Sequence, residues 1–109
     1  LKALATFLEQ SLRTEDIVAR FGGEEFVLAI RGVAEERVLL VAERLRAGVE
    51  SLVIEHEGQR VPLTVSVGVA SQGAGRDHPS IAALIGAADT ALYRAKGEGR
   101  NRVVVAAPG

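Results

Sequence analysis

Residues 63–70 read Leu-Thr-Val-Ser-Val-Gly-Val-Ala, and this alternation constrains the fold more than any other stretch. In an extended chain successive side chains point to opposite faces, so Leu63, Val65, Val67 and Val69 share one side and Thr64, Ser66, Gly68 and Ala70 the other. One side is bulky and apolar. The other is small enough to let a helix or a ligand approach the backbone closely. A strand of this kind needs a sheet around it and at least one helix over it.

The flanking periodicities supply those elements. Leu1, Leu4, Ala5, Leu8 and Leu12 fall at helical spacing and predict an amphipathic helix over residues 1 to about 12, with no visible N-cap. Ile17–Phe21 and Phe26–Ile30 are short β-prone runs around Gly22-Gly23-Glu24-Glu25, which predicts an antiparallel hairpin with a four-residue loop. A second helix is expected from Ala34 to about Ser51, carrying Val38, Val41, Ala42, Leu45 and Val49 inward, with Gly32 before it and Glu35 and Glu36 in a first turn that favours anions. Strands at Leu52–Glu55 and Gln59–Ala70 flank a His56-Glu57-Gly58 turn, with Pro62 marking an edge or bulge. After a polar loop over Gln72–Pro79, Ser80 caps a third helix that buries Ile81, Leu84, Ile85, Ala88, Leu92 and Ala95 and stops at Gly97 or Gly99. Arg102–Ala106 is a last short strand, and residues 107–109 a tail or the start of a linker. Two hairpins and three helices predict an α+β sandwich with helices on a mostly antiparallel sheet.

Composition excludes several classes of function. With 13 Lys+Arg against 14 Asp+Glu the chain has no basic field, and duplex nucleic acid is not an expected partner. No apolar run is long enough to span a membrane and no leader peptide opens the sequence, so a cytoplasmic location is expected, with any anchor lying upstream. The absence of Cys removes disulfides, thiolate metal sites and cysteine nucleophiles, while His56 and His78 are the only histidines and are expected at the surface. The chain has no Met and opens at Leu1 in what reads as mid-helix, as a fragment would. Of 13 basic residues only Lys2 and Lys96 are Lys, so an Arg is weak evidence of function and a Lys slightly stronger.

The hairpin tip is the first stretch with chemical content. Glycines at 22 and 23 let backbone N–H groups approach a phosphate, and carboxylates at 24 and 25 suit Mg²⁺, which takes one or two protein carboxylates and completes its shell with water and phosphate oxygens. By themselves these four residues are also the makings of a Gly-rich turn carrying solvated acids. Lys96 could equally complement a helix C-terminus, and Arg100 could be a solvated loop charge.

The longer pattern Arg13-x-x-Asp16-x-x-x-Arg20-Phe21-Gly22-Gly23-Glu24-Glu25-Phe26 closely resembles the signature of the GGDEF family of diguanylate cyclases. Thr64–Ala70 is similar to the family's Ser-x-Gly strand, and Ala88–Asn101 to its closing helix and loop, in the family's order. The resemblance implies a nucleotidyl-cyclase palm, ferredoxin-like in plan, filling residues 1–106. It implies a transferase that condenses two GTP into the bacterial second messenger cyclic di-GMP, with release of two pyrophosphates, at the interface of a homodimer. Glu24 and Glu25 would be catalytic and hold Mg²⁺ or Mn²⁺, Gly22 and Gly23 would let the loop approach the phosphates, and Lys96 and Arg100 would bind the triphosphate. Arg13 and Asp16 would form an inhibitory product site, joined by Arg44, although Arg13 and Asp16 could instead close a helix and a turn and Arg44 sit on a solvated face. Asp89 is expected to be a structural partner on the Asp89-Tyr93-Lys96 face.

The family pattern begins earlier, with a strand in the middle of the sheet that carries a further metal-binding Asp and guanine contacts. Without that strand, the remaining strands are expected to pair directly or to exchange between copies, and the 109-residue chain alone is expected to be inactive. A non-catalytic GGDEF-type module that binds GTP or cyclic di-GMP is the alternative.

Overall fold

The computed structural model describes residues 16–22, 24–72 and 80–106, with the side chains of residues 16–22 and of Val53, Ile54, His56, Val61 and Pro62 excepted. The helix expected over residues 1–12, together with Arg13, Gly23, His78 and the tail, lies outside them. In chain order the elements are β1 (Asp16–Gly22), β2 (Glu25–Arg31), α1 (Glu35–Ser51), β3 (Val53–His56), β4 (Gln59–Pro62), β5 (Ser66–Gln72), α2 (Ile81–Gly97) and β6 (Val103–Val105).

The main sheet runs β1-β2-β5-β6, and β3 and β4 form a separate two-stranded antiparallel sheet. Only β1 and β2 pair antiparallel in the main sheet; β2 with β5 and β5 with β6 are parallel. The fold is α+β as expected, but the mostly antiparallel sheet is not what forms. Only the first hairpin belongs to the main sheet. The chain between β2 and β5 includes α1 and the β3–β4 hairpin, and α2 links β5 to β6. A crossover of that kind returns the strand parallel. β2 lies directly beside β5 from Glu25↔Ser66 to Arg31↔Gln72, one of the two arrangements expected.

Two further boundaries differ. Gly22 pairs with Glu25, so both are strand residues and the hairpin turn is only two residues long, not four. The strand expected over residues 59–70 is divided at residues 63–65, because β4 ends at Pro62, whose nitrogen has no hydrogen to donate.

Five consecutive residues of β2, Phe26 to Ile30, are buried, as in a strand covered on both faces. Phe26, Leu28 and Ile30 pack with Val65, Val67 and Val69 and with Val38, Val41 and Ala42 of α1. On the other face Val27 and Ala29 pack with Ala70 and with Leu84, Ala88 and Leu92 of α2. The small side of β5 admits a helix: a Cβ on Gly68 would fall against the Ala88 carbonyl oxygen and the Leu92 nitrogen, and 2.7 Å from the Leu92 Cβ. The two helices thus cover opposite faces of the parallel strands.

Candidate active site

Parallel pairing puts the starts of β2, β5 and β6 at one end of the sheet, and α2, returning from the far end of β5, finishes there too. The hairpin tip, Ser66, Lys96 and the turn at residues 98–102 therefore meet. Ser66 is buried, and its backbone N–H donates to the Glu24 carbonyl at 2.9 Å, fixing the tip against β5. Glu24 is exposed and Glu25 half-buried.

Lys96 reaches this tip. Its Nζ forms an ion pair with Glu25 Oε1, with side chains 33% and 40% exposed. Position follows from local structure at the start of the helix and midway along it. Ser80 Oγ accepts from the Ala83 N–H at 3.1 Å, as expected of an N-cap, and Gly68 lets α2 lie close to the sheet. Lys96 also lies in the last turn of α2, where a cation complements the helix C-terminus.

The helix ends in a tight turn. The Glu98 N–H donates to the Arg94 carbonyl and the Arg100 N–H to the Ala95 carbonyl, both at 2.9 Å, around Gly99 at φ 126°. This is the arrangement in which a glycine just past the helix satisfies its last carbonyls. Arg100 follows at φ 63°, with an exposed side chain that has no bonded partner among the described residues. Its carbonyl accepts from Arg102 Nε at 3.1 Å.

A polar cluster absent from the sequence-based expectations holds the turn from the other helix. Arg46 on α1 donates through Nε to Glu43 at 2.9 Å and through Nη1 to Asn101 Oδ1 at 2.9 Å, and Asn101 Nδ2 donates to Glu50. Arg46 Nη1 is also 3.5 Å from Glu50. The hydrogen bond to Glu43, with a smaller charge attraction, holds that carboxyl below its ordinary pKa against the opposing effect of burial, and the same bond raises the Arg46 guanidinium. The Glu43-x-x-Arg46-x-x-x-Glu50 spacing announces the helix-surface pairs, but the link to Asn101 joins residues 55 apart and leaves no local pattern.

The other expected site residues are dispersed or incompletely described. Arg44 is exposed on α1 and has no bonded partner among the described residues, Asp16 begins β1 opposite Arg31, and Arg13 lies outside the described residues. Tyr93 is 77% exposed, while Asp89 is half-buried and bonded. Two neighbouring carboxylates suit an ion that draws its remaining ligands from phosphate and water; among the described residues no group of three or more His, Cys, Asp or Glu could hold a metal on protein ligands alone. No helix among them is long and apolar enough to cross a membrane.

Comparison with known proteins agrees with this geometry. The family model for the diguanylate cyclase GGDEF domain matches residues 1–102. Similar proteins include diguanylate cyclase A of Treponema denticola, 36% identical over 105 residues that are 96% of this chain and 28% of that protein. Diguanylate cyclase DosC of Escherichia coli is 36% identical over 104 residues, 94% of this chain and 22% of its own length. Diguanylate cyclase DgcM of the same organism is 42% identical over 106 residues, 97% of this chain and 24% of its own. The chain thus spans only about a quarter of the length of these relatives. With the glycine-acid tip, the close-packed closing helix and a family match over nearly all its residues, the chain belongs to the GGDEF-domain family of diguanylate cyclases.

Proposed function

We propose that this chain is the C-terminal part of a diguanylate cyclase domain that converts two GTP into cyclic di-GMP and two pyrophosphates across a homodimer. The observation that carries it is the meeting of Lys96 with Glu25 at the glycine-flanked tip of the β1–β2 hairpin. A triphosphate with a divalent ion needs an anion-binding group and a cation-binding group side by side, and these two residues are one of each.

In this reaction the 3′-hydroxyl oxygen of each GTP bonds to the α-phosphorus of the other. The bond from that phosphorus to the bridging oxygen of pyrophosphate breaks, and the hydroxyl proton is lost. Glu24 and Glu25 would ligate the Mg²⁺ or Mn²⁺ and favour removal of that proton. Gly22 and Gly23 would admit the phosphates, while Lys96 and Arg100 would bind the triphosphate and neutralise the charge of the leaving pyrophosphate. When bound, the ion would supply Lewis-acid stabilisation of the phosphoryl oxygens. Arg13 and Asp16, with Arg44, would bind cyclic di-GMP as an inhibitor, Arg offering paired donors and Asp accepting from guanine N–H groups.

The test is chromatography of GTP and Mg²⁺ incubated with the intact protein that carries this chain. Cyclic di-GMP should form, and Glu25→Ala should slow it about a hundredfold or more while leaving the unfolding midpoint within a few degrees. No product from the intact protein, with calorimetric binding of cyclic di-GMP that Arg13→Ala abolishes, would identify a non-catalytic receptor instead. The 109-residue chain alone is expected to form no product, since two-metal chemistry needs more oxygen ligands than the two carboxylates of the tip, and among the described residues no group of three or more His, Cys, Asp or Glu could hold a metal.

A further inference from the structure

We propose that Arg46 is a positioning residue for the triphosphate site: through Asn101 it holds the turn that presents Arg100. The inference rests on the phosphate-binding role given to Arg100 above. Three consecutive residues of this turn have positive φ, Gly99 at 126°, Arg100 at 63° and Asn101 at 46°. Glycine adopts such values without penalty and Asn tolerates them, but an Arg there is held against its own preference. Something must over-determine that conformation.

Two sets of contacts do so. From its own side, the turn has the Arg100 N–H on the Ala95 carbonyl and Arg102 Nε on the Arg100 carbonyl, with a guanidinium nitrogen of Arg102 only 2.7 Å from where a Cβ on Gly99 would stand. From α1, Arg46 and Glu50 grip both ends of the Asn101 amide, Arg46 giving to its oxygen and Glu50 taking from its nitrogen. Arg46 is itself oriented by paired bonds to Glu43 and is only 16% exposed at its side chain. A guanidinium fixed on one side by a carboxylate fork makes a directional strut, which a flexible ammonium would not.

The strut runs to the residue after Arg100, so rotating Asn101 redirects the Arg100 backbone. Lys96 is placed by α2 and Glu25 by β2, the elements that carry them. Arg44, two residues from Arg46 and therefore about 200° around the helix, points elsewhere and takes no part.

The experiment uses inorganic triphosphate with Mg²⁺ as the probe, in the intact protein, with Arg46→Gln, Arg100→Ala and the double variant titrated by calorimetry. Carbon chemical shifts at positions 100 and 101, which report φ without any ligand, are recorded for each. Arg46→Gln should move both residues' shifts away from left-handed values and weaken triphosphate binding about tenfold, close to the loss in Arg100→Ala. The double variant should be no weaker than Arg100→Ala alone, because a strut with nothing to position has no further effect. Asn101→Gly cuts both amide links while tolerating the positive φ, and should weaken binding in the same direction with less risk to folding. Unchanged shifts in Arg46→Gln, full affinity in both Arg46→Gln and Asn101→Gly, or additive losses in the double variant would each overturn the proposal. Full affinity in Arg100→Ala, with shifts that still respond to Arg46→Gln, would refute the phosphate role of Arg100 and with it the positioning role, while leaving the clamp itself established.

Discussion

The two faces of the parallel strands are built on opposite principles. Towards α1 the sheet offers Phe26, Leu28, Ile30, Val65, Val67 and Val69, and the helix stands off on bulky side chains. Towards α2 it offers Val27, Ala29, Gly68 and Ala70, and the helix backbone comes to rest almost on the strand. The first face supplies most of the volume of the core. The second supplies proximity, and it is the second that brings Lys96 to Glu25. Bulk stabilises a helix whatever its exact height above the sheet, whereas a contact between a helix end and a strand start needs the height to be right.

The strongest way to break this contrast is Gly68→Val. The added atoms would meet the Ala88 and Leu92 backbone, which cannot turn aside as a side chain could. A loss of more than about 4 kcal/mol is expected, seen as absence of a cooperative unfolding transition in urea or heat. Near-normal stability would show that α2 can rise off the sheet, and would remove the argument that Gly68 sets the position of Lys96.

Next in size is Leu28→Ala, on the bulky face. Leu28 is fully buried, and its truncation leaves a cavity between α1 and the strands at a cost of about 3 kcal/mol. Denaturant unfolding measures it. Triphosphate affinity should survive in the folded fraction, because the α1 face does not set the height of Lys96; a proportionate loss of affinity would mean that the two faces are not separable in this way.

A smaller change addresses the start of α2. Ser80→Ala removes the side-chain acceptor for the Ala83 N–H and should cost about 1 kcal/mol. Hydrogen exchange should speed up in the first turn of α2 and stay unchanged at Lys96, four turns away.

Periodicity carried most of this architecture because the helices and strands use it directly. The inward positions of α1 and α2 and the Ser80 cap are where the spacing puts them, and the small side of β5 receives a helix. Strand pairing was not legible in the same way. The sequence around Glu57-Gly58 reads as a hairpin and is one, with both residues at positive φ, but no local signal tells that β3 and β4 form their own sheet and leave β2 to pair with β5. At the candidate site, Glu24, Glu25, Lys96 and Arg100 stand out because each lies in a stretch that resembles a motif of the family. The Arg46–Asn101 link is not, since it is a tertiary contact between residues that would each be ordinary on a solvated surface.

The smallest effect concerns that link and its dependence on pH. Glu43 is exposed, and its bond from Arg46 lowers its pKa below the ordinary carboxylate value, so the folded state binds a proton less readily there than the unfolded state does. A group depressed in this way contributes stability above its unfolded pKa and loses that contribution as the pH falls through the folded value. The contribution is therefore full at neutral pH, begins to fade as the pH drops to about 4.5, and is absent once the carboxyl is protonated in both states. Because the Glu43 side chain is 50% exposed, the pair is worth only a few tenths of a kcal/mol, and less in high salt. Urea unfolding of the native chain and of Glu43→Gln should differ by that amount at pH 7 in low salt and converge once the pH has fallen below the lowered, folded-state value. A difference that instead persisted into acid would show that Glu43 acts through packing and not through its charge, and Arg46 would then have to be oriented by Glu50 and Asn101 alone.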